Sequence, residues 1–228
     1  MTDYISVEYN NEKRPNTSYP AKLATYIFNQ SNMRAGQSIL EVGSGRGEIL
    51  EHFSKMGLLT YAIDSANSAA AFATKSGANF QIYKLQPENN SKVFNNKKFD
   101  FIFSKSFIEH LHDPLYFFNW SYNLLNEKGK LISLTPDWVS NYKGFYDDIT
   151  HVKPFTKVSM NQVLELANFK EINVYTFRQL PVTWDSFLMR LLSKFTYLVS
   201  PPPHKVKQKW LRWSRELMIY SEGTKTNN

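Results

Sequence analysis

Glu41, Gly43, Gly45 and Gly47 fall together in SILEVGSGRGE, residues 38–48, and Asp64 closes the next apolar run, LLTYAID. Glycines let a backbone take left-handed angles and let a ligand approach where a Cβ would clash. Ile39, Leu40 and Val42 ahead of them suit a strand buried on both faces of a parallel sheet. Ile49, Leu50 and Phe53 behind them recur at helical spacing, so the stretch reads as strand, tight turn and helix start. The helix N-terminus offers unpaired N–H groups. The spacing is G-x-G-x-G rather than the G-x-G-x-x-G of dinucleotide sites. A carboxylate two positions before the first glycine repels a diphosphate and suits a ligand that carries an ammonium group. Asp64, at the end of a strand, is placed to accept from ribose hydroxyls.

A second set of residues could move a proton. His110 follows the apolar run FDFIFS, and His151 lies in YDDITHVKPFT. Both fall near the C-terminal edge of the expected sheet, where such folds bind ligands. A positioned imidazole can take the proton of a hydroxyl acceptor. Asp147 or Asp148 could orient the histidine or bind the acceptor. The chain has no cysteine, which excludes disulfides and thiolate chemistry.

The elements that must position these residues follow in order. Residues 19–32 read as a helix, the apolar run 39–42 as the first strand, and 48–56 as the first crossover helix. Strands are expected over 58–64, 79–85, 99–104, 130–134 and 170–177, and helices over 66–76, 115–125 and 156–168, the last capped by Thr156. Residues 86–98 read as loop, a turn falls at 127–129, and 137–154 is an aromatic and acidic insertion without clear periodicity. Alternating βα units specify an α/β fold, a doubly wound, mostly parallel Rossmann-like sheet with helices on both faces. After it, residues 184–199 are amphipathic, the prolines at 201–203 break the chain, and 205–220 reads as a second, basic helix. The expected division is a cofactor-binding domain over 1–180, with the insertion forming the acceptor site, and a basic helical lid or appendage over 181–228.

Composition narrows the function classes. In 228 residues the charged share is 21% and the hydrophobic share 42%, ordinary for a globular chain. Net charge is +7, and residues 181–228 hold eight Lys/Arg against three Asp/Glu, a net +5. A positive tail favours an anionic small molecule or a membrane surface touched through 184–220. Nucleic acid is not the expected partner, because the rest of the chain is only weakly basic. No apolar leader or run of membrane-spanning length is present, and a soluble cytoplasmic protein is expected.

With these residues named, the chain closely resembles class I S-adenosylmethionine-dependent methyltransferases. LEVGSGRG matches that family's first motif, Asp64 its ribose-binding acid, FDFIFSKSFIEHLHDP the segment along its fourth strand, and NLLNEKGKLISLTPD its fifth strand and lead-in. The resemblance covers roughly residues 20–178 and implies S-adenosylmethionine as cofactor. By the same resemblance Glu41 would organise its amino end, Gly43 and Gly45 would let it approach, and Asp64, followed by Ser65, would hold the ribose. Ser104 would lie beside the methionine portion. Many members place an Asp after the third strand to meet the adenine amine; here the region reads KLQPENN, and Gln86 could offer an amide oxygen instead.

Some members, including small-RNA 3′-end and quinone-pathway enzymes, bind a divalent metal through Glu-x-x-Glu-His. The matching stretch here, Ser106 to His110, lacks the first carboxylate, so no metal is expected; Glu109, His110 and His151 form the N/O set if one binds. Residues 147–154 resemble a segment of bacterial methyltransferases acting on surface-polysaccharide or nucleotide-linked precursors. The expected activity is methylation, at oxygen, of a small phosphorylated, nucleotide-linked or sugar-like acceptor, with His151, His110 and Asp148 as the catalytic set. The alternatives are an RNA or quinone-type methyltransferase and a non-catalytic cofactor-binding regulatory subunit.

Overall fold

The computed structural model describes residues 17–71, 77–86, 92–199, 206 and 208–226. Its centre is β1 (Ser38–Val42), buried along its whole length. β1 pairs in parallel with β2 (Leu59–Asp64) on one side and with β4 (Phe99–Lys105) on the other. β3 (Asn79–Ile82) extends the sheet beyond β2, and β5 (Leu125–Pro136) extends it beyond β4. Strand order is β3-β2-β1-β4-β5-β7-β6, with β6 at Lys170–Arg178 and β7 at Leu217–Thr224. The order reverses between β1 and β4, and ligands of such sheets bind in the crevice that opens there.

Helices cover both faces. Among the described residues, α1 (Tyr19–Gln30) and α2 (Glu48–Lys55) bury Leu23, Ala24, Ile27, Leu50 and Phe53 against one face. α3 (Pro114–Leu124) and α5 (Lys157–Leu166) bury Phe117, Phe118, Met160 and Leu164 against the other. α5 starts where expected: Thr156 accepts from the Ser159 N–H, and the Ser159 hydroxyl accepts from the Thr156 N–H. Between β5 and α5 lie the short α4 (Trp138–Asn141) and a 3₁₀ turn at Phe145–Asp147.

The main difference from the sequence reading is at the C-terminus. The basic helix expected over 205–220 is α8 (Lys209–Arg215) alone, and residues 217–224 are β7, inserted antiparallel between β5 and β6. Residues 217–224 therefore belong to the sheet, and among the described residues from 181 on, α6 (Val182–Asp185), α7 (Phe187–Val199) and α8 lie outside it. Two smaller differences follow. The third strand stops at Ile82, and the expected turn at 127–129 is absorbed into β5, where the Lys128 N–H donates to the Lys225 carbonyl and the Gly129 carbonyl accepts from the Lys225 N–H. Of the helix expected over 66–76, residues 69–71 are helical and 72–76 lie outside the described residues.

Candidate active site

The glycine turn grows directly out of β1. Gly43 (φ +73°) donates its N–H to the Ile63 carbonyl, which ties the turn to the end of β2. A Cβ at Gly43 would stand 2.6 Å from Phe107 Cδ2, so this position is glycine because the Phe107 ring packs on it. At Gly45 (φ +51°) a Cβ would meet nothing within 4 Å, so this side of the turn faces open space. Only Gly45 supplies the open approach expected of both glycines.

Asp64 closes the turn. Its two carboxylate oxygens accept from the backbone N–H groups of Gly45 and Ala66, each at 2.9 Å. The acid expected to meet ribose thus also shapes the loop, and each oxygen keeps a second lone pair. Ser65 beside it is exposed, and Gln86 is half-buried at the edge of the described segment. Ser104 stands next to Val42 in register, but its hydroxyl is buried and hydrogen-bonded to Ser133 at 2.9 Å. Its side chain braces β4 against β5, leaving only backbone to line a ligand.

Glu41 is 4% exposed. A backbone N–H from Leu50, in the first turn of α2, bonds its carboxyl, whereas Oε2 is buried with no hydrogen-bond partner. α2 has no side-chain cap of its own, so Glu41 serves that helix end from the neighbouring strand. Burial first, then the charge of Asp64, push the Glu41 carboxyl up to about 8, with Lys105 acting in the opposite sense. A buried carboxylate oxygen without a partner is costly. It fits a ligand that brings a cation, and the amino end of S-adenosylmethionine is one.

Beyond the end of β4 a second group assembles. Glu109 is fully buried; its Oε2 accepts from the Thr135 hydroxyl at 3.0 Å, and Oε1 has no hydrogen-bond partner. Burial raises its carboxyl to about 7. The Glu109 carbonyl accepts from Val152 and Lys153, which fastens the insertion to the sheet edge. His110 and His151 then meet, with ring centroids 4.8 Å apart. His110 Nδ1 bonds the Thr150 hydroxyl at 2.9 Å, and that hydroxyl donates to Asp148 at 2.6 Å. A further bond joins His110 to the Ser106 backbone, and burial lowers its pKa.

His151 is held differently. Its Nδ1 lies 2.6 Å from the Phe145 carbonyl, its ring packs on Phe145 at 4.6 Å, and Nε2 is 4.0 Å from Asp148 Oδ2. A carbonyl can only accept, so Nδ1 carries a proton and the neutral ring has its lone pair on Nε2. The sequence pointed to the histidines and Asp148 but not to Thr150, which bonds both His110 and Asp148, nor to Thr135, which bonds Glu109. One ligand atom each from Glu109, His110 and His151 lie within 4.8 Å of one another. A carboxylate and two imidazoles in that space fit a divalent cation.

A family model described as methyltransferase domain matches residues 11–174. The ubiquinone biosynthesis O-methyltransferase of Pasteurella multocida is 30% identical over 107 residues, 42% of this chain and 44% of that protein. The chain thus spans under half the length of this curated relative. Among solved structures, a SAM-dependent methyltransferase from Archaeoglobus fulgidus superimposes with a TM-score of 0.64 at 18% identity, covering 98% of this chain and 100% of the other. A chain from the complex between the Haloferax volcanii Trm112 methyltransferase activator and a methyltransferase gives 0.70 at 10% identity, with 100% of both chains covered. At these identities the superpositions bear on fold, the Rossmann-like sheet with its helices. The glycine turn, the buried carboxylate at its mouth and the matched family model agree: the chain belongs to the methyltransferase-domain family, and its cofactor is S-adenosylmethionine.

Proposed function

We propose that this protein transfers a methyl group from S-adenosylmethionine to a hydroxyl, with His151 as general base. Glu41 and the open side of Gly45 hold the cofactor's amino end, and Asp64 holds its ribose. The bound cofactor supplies an already activated methyl on sulfur, so the chain's task is alignment, exclusion of water and proton removal. As the acceptor oxygen takes the methyl, its proton would pass to His151 Nε2, the C–S bonding pair staying with the cofactor's sulfur. Asp148, 4.0 Å away, stabilises the imidazolium. His110 acts through Thr150 and Asp148 as a positioning residue. The observation that carries this reading is the Phe145 carbonyl, which fixes the His151 tautomer.

The acceptor proposed is a small phosphorylated, nucleotide-linked or sugar-like alcohol of surface-polysaccharide biosynthesis, supported by the 147–154 segment and the basic tail. A methyl-transfer screen of such compounds tests it. H151A is expected to lower kcat by about a hundredfold or more with cofactor affinity nearly unchanged. Unchanged turnover would remove His151 from the mechanism. A second reading, a quinone-type phenol methyltransferase, is favoured by the Pasteurella relative and by the Glu109–His110–His151 cluster. In that reading the three residues would hold a divalent cation that polarises the acceptor oxygen. Turnover on a phenol that is lost with a chelator and restored by magnesium would establish it over the first.

A further inference from the structure

Helix α7 is built inside out for a helix in water. It reads FLMRLLSKFTYLV, and the residues it buries are Ser193 and Thr196. Ser193 donates to the Ser214 hydroxyl of α8 at 3.0 Å, and Thr196 accepts from Trp210 Nε1 at 3.0 Å. The opposite side exposes Phe187 (78%), Leu188 (70%), Leu191, Leu192, Phe195 and Leu198 (76%). At 3.6 residues per turn these fall on one arc of about 140°. A surface helix ordinarily turns such a stripe to the core. Here hydroxyls fasten the helix down and the apolar stripe faces out.

Charge identifies what covers it. Arg190 and Lys194 lie along one border of the stripe, and α7 contains no acid. Among the described residues the Arg190 guanidinium bonds to the neutral carbonyls of Thr183 and Trp184 and to no carboxylate. A second copy on this face would bring like charges together, whereas an anionic lipid surface complements them. We infer that α7 lies in the interface of an anionic bilayer, its Phe and Leu side chains among the acyl chains and Arg190 and Lys194 at the headgroups.

Co-sedimentation of the full chain with large unilamellar vesicles tests this. Wild type is expected to pellet with phosphatidylcholine containing about a third phosphatidylglycerol, and several-fold less with phosphatidylcholine alone. L191D/F195D is expected to lose about tenfold in bound fraction, and K194E several-fold, with circular dichroism and Tm unchanged because these side chains are exposed. Should L191D/F195D unfold, L188S/L198S reads the same face. Failure of wild type to pellet, or pelleting unaffected by the apolar substitutions, would overturn the inference. So would a dimer in analytical ultracentrifugation that either pair dissociates, which would give the face to a second copy.

Discussion

At the level of single residues, the role proposed for Glu41 makes cofactor binding depend on pH. Its carboxyl sits at about 8 in the ligand-free protein because burial and Asp64 disfavour the anion. The ammonium it is proposed to meet needs the anion, so binding must expel a proton whenever the pH is below that value. Affinity for S-adenosylmethionine is therefore expected to rise between pH 6 and 7.5, approaching tenfold per unit. Glu41→Gln should bind more weakly and lose that slope. Calorimetry in two buffers of different ionisation enthalpy would read both the affinity and the released proton; a slope retained in Glu41→Gln would move its origin elsewhere. Glu41 and Asp64 were legible in the sequence because motif spacing is local. Thr135 and Thr150 were not: their bonds to Glu109 and His110 join positions 26 and 40 apart, and threonine is ordinary in strands and loops.

At the level of elements, the parallel half of the sheet was readable from continuous apolar runs, and β7 was not. LMIYSEGT follows a basic helical stretch directly, and its apolar residues continue a helical period as well as a strand's. Its place between β5 and β6 comes from antiparallel pairing with strands far away in sequence. Gly223 records how closely β7 is packed: a Cβ there would lie 2.9 Å from Phe169 Cβ and 3.2 Å from Leu164 Cδ2, both in the core. Gly223→Val is expected to destabilise the protein by about 1–3 kcal/mol through overpacking. Urea unfolding would show a lower midpoint with an unchanged slope. Stability equal to wild type would mean that α5 and β7 can separate freely, contrary to the contacts seen.

For the molecule as a whole, two buried carboxyls with raised pKa values imply a site maintained at the expense of stability. In the folded state Glu41 and Glu109 hold their protons up to about 8 and about 7, and in the unfolded chain both ionise near the ordinary 4.5. Across that window the folded form binds more protons than the unfolded one, so stability is greatest on the acid side and falls as the pH climbs from 4.5 toward 8. The limiting slope is about 1.4 kcal/mol per pH unit for each group. Tm should accordingly drop between pH 6 and pH 8, and the E41Q/E109Q double variant should flatten that drop while raising Tm at pH 8. On the proposed pairing of its ammonium with Glu41, cofactor should offset the Glu41 share only and leave Glu109 as it was. Scanning calorimetry of both proteins, with and without S-adenosylhomocysteine, separates the two contributions. A Tm that rises from pH 6 to 8 in wild type would show that neither carboxyl carries its proton in the folded protein, and the fit of Glu41 to an incoming cation would have to rest on geometry alone.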